Sequence, residues 1–379
     1  MAANPSSNEE AGPRLPQPDC NPGQGNAISP KALAGQHWLE AALADAIPPN
    51  RDIIVIGGSG GALEALRTLA RGFEPDLPAA VFVVLHVGAY SNLAYVLSKA
   101  GALPAVPAVS GHGFERGRIH VAVPGFHLLL HDGHMLLRRG PRENLARPAA
   151  DALFRSAAAS FGSRVIGVVL SGALSDGAAG LRAIKRCGGM AVVQDPAEAL
   201  NSSMPSSALR HADVDHVCRM DDMARLLAGL ARQPAGPSPD IPLDIRLEAA
   251  IAAQELADMR VDDMLGTPSR FTCPECHGAL WEIEDGSMLR FRCHVGHAFA
   301  ADTVAAAQSE EIDRLLGTLL RSHQERAALA QRMAEHERAN DRQALAQHFE
   351  RRARDYEHDV EIMKKLLRSG EADSGGQGV

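Results

Sequence analysis

The sequence is poor in aromatic residues, in long apolar runs and in positive charge. Aromatic residues make up only 4% of the chain, so a hydrophobic fraction of 45% must build its core from aliphatic side chains. The formal net charge of −8 argues against a general binder of nucleic acid or anionic membranes. No apolar run approaches the roughly 20 residues that span a bilayer, and no secretory signal is visible. These absences predict a cytoplasmic protein with no direct membrane insertion and no nucleic-acid partner.

Cysteine is scarce as well, since the chain has only six. Half of them are isolated, which favours a reducing compartment over a disulfide framework. The other three lie near a histidine in the spacing C-x2-C-x16-C-x3-H, and zinc takes such a Cys3His set in structural sites. The spacing therefore predicts a structural zinc ion on Cys273, Cys276, Cys293 and His297. Two other histidines are alternatives for the fourth ligand: His277 and His294.

Composition and periodicity divide the chain into consecutive segments. Residues 1–50 are rich in Pro, Ser, Gly and Asn without periodicity, which predicts disorder. An α/β domain is expected over 51–232, where apolar runs alternate with helical patterns. The expected segments after it are a Pro-rich linker (233–245), a zinc-binding module (246–302), a helical hairpin (303–368) and a flexible tail (369–379).

Alternation of short buried strands with helices predicts a doubly wound, mostly parallel sheet for the α/β domain. The strands are expected at 53–56, 80–85, 165–170, 190–193 and 214–217, and the helices at 63–70, 149–161 and 178–187. The middle of the domain, 118–137, is predicted instead as short antiparallel strands with a turn at Asp132-Gly133.

Two long patterns with apolar spacings of three, four and seven follow the cysteine–histidine cluster. The break between them near Asn340 and Asp341 predicts an antiparallel helical hairpin. The hairpin either packs on itself or on the zinc module, or it provides a surface for docking a partner or for self-association.

The stretch 53–61 is the most informative part of the chain. A β-branched run ends abruptly in glycines that surround one hydroxyl group, that of Ser59, and a helical pattern follows at once. This strand, turn and helix fits the G-x-S-x-G nucleophile elbow. A glycine-rich turn of this kind can also cradle a phosphate, so a nucleotide-binding protein is a rival interpretation. Neither G-x-G-x-x-G nor a following Lys-Ser/Thr is present to support that rival.

A nucleophilic serine needs a base and a carboxylate that orients the base. His86 directly follows the predicted strand 80–85, and Asp176 lies in the loop after the predicted strand 165–170. Because the carboxyl ends of parallel strands meet at the same edge of a sheet, Ser59, His86 and Asp176 are expected to share that edge.

Residues 52–230 resemble the catalytic domain of the chemotaxis-type protein-glutamate methylesterases (CheB-type). The first six positions of the family pattern I-G-x-S-x-G-G correspond to 56–61, a strand that ends in histidine to 83–86, and a T-G-x-x-x-D-G-like loop to 171–177. Further matches lie at 147–154, which resembles P-S-x-D-x-L-F, and at 193–196 and 203–205. The motifs occur in the family's order, so the resemblance is specific over about half of the chain.

The resemblance implies that Ser59 is the nucleophile, His86 the general base and Asp176 its orienting partner. It implies hydrolysis of glutamate methyl esters on chemoreceptor-like signalling proteins without a catalytic cofactor, and some relatives also deamidate glutamine. The alternative is a catalytically inactive signalling scaffold whose zinc and helical parts dock partners.

Several positions depart from the family pattern. Gly60 follows the serine where the family often has Thr or Ala, Ala173 stands where Met is common, and Val87-Gly88 replaces Leu-Pro or Met-Pro. Chemotaxis members usually carry a phosphorylatable receiver domain, and about 50 disordered-looking residues are too few to contain one. The resemblance is therefore to a stand-alone form that is not controlled by phosphorylation in cis.

Overall fold

The computed structural model describes residues 49–86, 91–254 and 264–374. The predicted disordered segment lies outside these ranges except for residues 49 and 50. The part of the predicted tail beyond residue 374 and the pair Val87-Gly88 also lie outside the described residues.

Strands and helices alternate through the first two thirds of the described chain. The strands are β1 (Ile53–Gly58), β2 (Ala80–Leu85), β3 (Ala105–Pro107), β4 (Arg118–Val121), β5 (His127–His131), β6 (His134–Arg138), β7 (Val165–Val169), β8 (Met190–Gln194), β9 (His216–Cys218), β10 (Thr267–Thr272), β11 (Ala279–Asp285), β12 (Met288–Cys293) and β13 (Ala298–Ala300). The helices are α1 (Ala62–Gly72), α2 (Leu93–Ala100), α3 (Ala150–Phe161), α4 (Ala178–Arg186), α5 (Ser203–His211), α6 (Met220–Ala231), α7 (Leu243–Ala252), α8 (Ala301–Ala339) and α9 (Gln343–Ser374).

Seven strands form one sheet in the order β3-β4-β2-β1-β7-β8-β9, and all neighbouring pairs are parallel. The predicted mostly parallel α/β sheet is therefore confirmed. The antiparallel prediction for 118–137 holds for the β5–β6 hairpin but is wrong for β4, which pairs in parallel with β2 and β3. Polar and apolar residues alternate in β4. This pattern occurs in a strand near the edge of a parallel sheet as well as in a hairpin strand, so the sequence alone did not distinguish the two.

The sheet has a core layer on each face because successive strand residues point to opposite sides. On β1, Ile54 and Ile56 pack with α1, α2 and α6, whereas Ile53 and Val55 pack with α3, α4 and α5. This is the doubly wound arrangement. Its strand order reverses between β1 and β7, and such a switch point is where α/β sheets open a crevice for ligands.

The C-terminal region begins with α7 at Leu243, inside the range predicted as linker. Strands β10–β13 then form an antiparallel sheet, α8 follows β13 directly, and α9 packs along α8. We call residues 264–304, which comprise β10–β13 and the first turn of α8, the C-terminal module. No helix in the described ranges has both the length and the apolar character needed to cross a membrane.

A cluster of buried charges joins the C-terminal module to the α/β domain. Glu248 of α7 accepts hydrogen bonds from Arg290 and Arg292 of β12, both at 2.6 Å. Arg155 of α3 lies 3.4 Å from Glu248 and donates to Glu143 at 2.5 and 2.6 Å. Because buried charges are tolerated only when they are paired, this cluster fixes one way of docking the module.

Phe154 tests how tightly α3 packs against the central sheet. Its ring is fully buried and lies against two glycines at strand and helix ends, Gly57 and Gly177. We expect Phe154→Ala to lower the free energy of unfolding by about 3–5 kcal/mol, because the rigid sheet cannot collapse into the cavity. Chemical denaturation measures this loss.

Phe271→Ala is the matched control, since it removes the same atoms from a side chain that is 48% exposed. It should cost about 1.5 kcal/mol or less. Equal losses for the two variants would contradict the assigned burial.

Candidate active site

Ser59 lies in the turn between β1 and α1. Gly58, the last residue of β1, pairs with Leu85, the last residue of β2. The residues that follow them, Ser59 and His86, therefore lie side by side at the carboxyl ends of the two strands. The Ser59 N–H donates to the carbonyl of Ser171, which lies at the start of the loop after β7, at 2.9 Å. Gly61 enters α1 at φ +86°, a conformation that suits glycine.

Gly172 explains how the loop after β7 can approach Ser59 so closely. A Cβ atom added to Gly172 would lie 2.8 Å from Ser59 Cβ and 2.0 Å from Met204 Sδ. Only glycine therefore fits between the serine turn and α5 at this point, which gives a physical reason for the glycine in the loop motif.

His86 and Asp176 form a hydrogen-bonded pair. His86 Nε2 lies 2.7 Å from Asp176 Oδ2. A carboxylate only accepts hydrogen bonds, so Nε2 carries the proton and Nδ1 is the nitrogen that can accept one. Ser59 Oγ makes no hydrogen bond to another residue in the described ranges, so the structure joins two of the three predicted residues directly and places the third at the adjoining strand end.

The carboxylate of Asp176 is fully buried and receives four hydrogen bonds. His86 and the N–H of Ala150 bond to Oδ2, the latter at 2.6 Å, while the N–H of Asp151 and the side-chain amide of Asn144 bond to Oδ1 at 3.1 Å. Ala150 and Asp151 are the first residues of α3, so Asp176 lies at a helix N-terminus, where backbone donors and the helix dipole stabilise an anion.

Burial and neighbouring charges together raise the pKa values of His86 and Asp151 and lower that of Asp176. Burial by itself lowers the pKa of His86, but the hydrogen bond and the charge of Asp176 outweigh burial and raise it above its ordinary value. Burial would likewise raise the pKa of Asp176, yet His86 and the two backbone donors of α3 hold it below the usual range. Burial and the nearby charge of Asp176 raise the pKa of Asp151 to about 7.

Asn144 and Asp151 are site residues that the sequence reasoning did not include. Asn144 donates to Asp151 Oδ2 at 2.8 Å as well as to Asp176, and Asp151 Oδ1 accepts from the N–H of Gly180 at 2.6 Å. The segment 147–154, matched to the family pattern, contains Asp151 and was a usable signal. Asn144 lies in a loop without such a signal.

A cavity of about 450 Å³ opens beside His86. It is lined by His86, Arg142, Asn144, Leu145, Ala146, Arg147 and Pro148. The β6–α3 loop therefore forms the wall of the space next to the imidazole, and its arginines give that wall a positive rim.

The cysteine–histidine cluster forms a second site, within the C-terminal module. The ligand atoms of Cys273, Cys276, Cys293 and His297 all lie within 4.8 Å of one another. Cys276 Sγ lies 3.6 Å from Cys293 Sγ, which lies 3.5 Å from His297 Nδ1. A tetrahedron with zinc–sulfur bonds of about 2.3 Å has edges of about 3.8 Å, so the four side chains fit one zinc ion.

The α/β domain is similar to known proteins. The family model described as CheB methylesterase matches residues 54–227, which include β1 and the loop after β7. A Leptospira interrogans protein described as a candidate protein-glutamate methylesterase/protein-glutamine glutaminase is 36% identical over 184 residues, which are 48% of this chain and 95% of that protein. The chain belongs to the CheB methylesterase family.

Two further matches cover different shares of the proteins concerned. The Anaeromyxobacter dehalogenans protein-glutamate methylesterase/protein-glutamine glutaminase 2 is 38% identical over 183 residues, 48% of this chain and 54% of that protein. The crystal structure of the Thermotoga maritima CheB methylesterase catalytic domain is 28% identical, with a TM-score of 0.46, over 47% of this chain and 98% of that one. The family model and the Leptospira relative confirm the resemblance found in the sequence, and nothing in these matches favours the nucleotide-binding interpretation.

The Asp176 carboxylate should control the protonation of His86. We expect Asp176→Asn to lower the pKa of His86, because burial remains while the favourable charge is lost. Titration of the His86 resonances by NMR in both proteins measures the change.

Asp222→Asn is the control, because it removes a carboxylate from an exposed position on α6. It should leave the His86 titration as in the wild type. A His86 pKa in Asp176→Asn equal to or above the wild-type value would contradict the assigned coupling.

Proposed function

We propose that this protein is a serine esterase that hydrolyses glutamate γ-methyl esters on chemoreceptor-like signalling proteins. The observation that carries the proposal is the His86–Asp176 hydrogen bond at the strand ends that adjoin Ser59. Membership of the CheB methylesterase family and the names of its relatives support the same reaction. In this proposal Ser59 is the nucleophile, His86 the general base and Asp176 the group that orients the base.

The first half of the reaction transfers the acyl group to the enzyme. Ser59 Oγ attacks the ester carbonyl while neutral His86 accepts the hydroxyl proton, and Asp176 stabilises the imidazolium that forms. Because Nε2 is bonded to Asp176, Nδ1 is the nitrogen that we assign to this proton transfer. Collapse of the tetrahedral intermediate breaks the bond to the methoxy oxygen, which takes the proton from His86 and leaves as methanol.

The N-terminus of α1 is the proposed source of oxyanion donors. The Ser59 N–H is already bonded to Ser171, so we assign the N–H groups of Gly60 and Gly61, which follow it at the start of the helix. Loss of one such donor typically lowers kcat by ~10²–10³.

Water completes the cycle by hydrolysing the acyl-enzyme with His86 as base, which releases glutamate and restores Ser59. Attack on a glutamine side chain would give the same acyl-enzyme with ammonia as the leaving group, so we propose glutamine deamidation as a second activity. The names of the curated relatives carry both reactions. No comparison favours an inactive scaffold.

We propose that Cys273, Cys276, Cys293 and His297 bind a structural zinc ion. All four protein ligands are present in tetrahedral spacing, so no position remains for a substrate or water. Backbone turns support the ligands, since the N–H of His277 donates to Cys273 O at 2.9 Å and that of Gly296 to Cys293 O at 2.7 Å. His277 and His294 lie outside the four-residue cluster, so we assign the fourth position to His297.

We also propose that the α8–α9 hairpin is a surface for partner docking or self-association. Three apolar side chains of α8, those of Ile312, Leu315 and Leu319, are about half exposed. A cytoplasmic location, where methylated receptor domains are accessible, is part of the same proposal.

The esterase proposal predicts that Ser59→Ala abolishes methanol release from methyl-esterified chemoreceptor. We expect a loss of about 10⁴-fold or more, because the covalent route disappears while the fold is kept. A fluorophosphonate probe should label the wild type and leave the variant unlabelled.

Ser309→Ala is the matched control, since it removes an exposed hydroxyl from α8. It should release methanol and react with the probe as the wild type does. Substantial hydrolysis by Ser59→Ala would contradict the assignment of Ser59 as the nucleophile. A folded wild type that neither releases methanol nor reacts with the probe would favour the inactive scaffold.

The zinc proposal predicts that purified protein contains about one zinc ion per chain and that Cys276→Ser loses most of it. The C-terminal module should then unfold at a lower temperature, because its small core depends on the metal. Elemental analysis and thermal unfolding measure the two effects. Cys218→Ser, which alters a cysteine outside the cluster, should retain the metal, and equal metal content in all three proteins would contradict the site.

A further inference from the structure

The C-terminal module reaches the carboxylate that orients His86. The contact runs through Asn144 in the β6–α3 loop. Its N–H donates to the carbonyl of Ala298 at 2.8 Å, and its side-chain oxygen accepts from the N–H of Ala300 at 3.0 Å. Both partners belong to β13, so a strand of the module binds the backbone and the side chain of one loop residue.

These contacts fix which way the side-chain amide of Asn144 faces. With its oxygen bonded to Ala300 N–H, its nitrogen donates to Asp151 Oδ2 at 2.8 Å and Asp176 Oδ1 at 3.1 Å. A flipped amide would set its oxygen against two carboxylates and its NH2 against a donor, so the flipped form is excluded. Asn144 is buried, which leaves little water to replace any of these bonds.

The amide of Asn144 also separates two buried acids. Asp151 and Asp176 are held near each other at the start of α3, and a single NH2 group donates to both. Without that bridge the two carboxyl groups would repel, and the Asp176 side chain would lose one of the two donors that hold Oδ1. The backbone donors of Ala150 and Asp151 would remain, but they would hold the carboxylate toward His86 less firmly than all the donors together do.

We infer that Asn144 is a positioning residue through which β13 of the C-terminal module holds the Asp176–His86 pair beside Ser59. The inference rests on the proposed function of these three residues. It gives the module a part in catalysis without contact to substrate.

A second contact between the module and the same region supports this inference. The hydroxyl group of Ser175, which directly precedes Asp176, donates a hydrogen bond to Asp302 Oδ1 at 2.7 Å. Asp302 lies in the first turn of α8, immediately after β13. The loop that carries Asp176 is therefore held by the module at its preceding residue as well as through Asn144.

Asn144→Gly tests the inference with little backbone strain, because Asn144 has φ +49°, a conformation that glycine adopts easily. We expect kcat for methanol release to fall about 10- to 100-fold with KM nearly unchanged. The downfield proton resonance of His86 Nε2–H should shift or broaden, which a general loss of stability would not produce in a folded sample. Circular dichroism and thermal unfolding establish that the variant is folded.

Ala300→Pro tests separately whether the C-terminal module contributes to this positioning. Proline removes the N–H that bonds Asn144, and the φ of −76° at Ala300 suits its ring. We expect kcat to fall and the His86 resonance to shift as they do in Asn144→Gly, but by smaller amounts. Arg182→Gln is the control, since it breaks a contact of α4 with Asp285 of the module that does not involve Asn144. It should leave kcat and the resonance as in the wild type.

Each result decides between the alternatives. Folded Asn144→Gly with wild-type kcat and an unchanged resonance overturns the inference. A defect in Asn144→Gly but none in Ala300→Pro overturns the contribution of the module, as does an equal defect in Arg182→Gln. If the wild type releases no methanol, the proposed function fails, and the His86 resonance in the same variants still decides whether Asn144 positions the pair.

Discussion

The site depends on one constraint, which is that a fully buried carboxylate must have its hydrogen-bonding capacity satisfied. Asp176 meets this constraint with four donors from three places: His86 after β2, two backbone N–H groups at the start of α3, and the side chain of Asn144. Each donor fixes the place of the element that supplies it. The strand ends, the helix N-terminus and the β6–α3 loop are consequently held around a single charge.

The docking of the C-terminal module follows from the same physics. Glu248 is buried among arginines of α3 and β12, and Glu143 is buried against Arg155. Removing either acid would leave excess positive charge in the interior, which costs far more than an exposed ion pair contributes. Glu143 directly precedes Asn144, so the ion pairs that dock the module also place the residue that bridges Asp151 and Asp176.

The local predictions succeeded where one segment of sequence carries its own physical signal. β1 and β7 are apolar runs, and the glycines after β1 can take the positive φ that the turn into α1 requires at Gly61. The predictions failed where neighbours in space decide. The polar β4 joins the parallel sheet, and the linker range already contains the start of α7 at Leu243, because both elements take their place from surfaces distant in the sequence.

The sequence by itself determined the fold class, the family and a set of chemically capable residues: Ser59, His86, Asp176 and the cysteine–histidine spacing. Strand periodicity, turn glycines and metal-ligand spacing are short-range properties, so they can be read along the chain. Only the tertiary structure decided that Nε2 of His86 faces Asp176 and that Asn144 joins the acids to β13. Asn144 and Ala300 are separated by more than 150 residues, and a hydrogen bond between them is set by the packing of two domains.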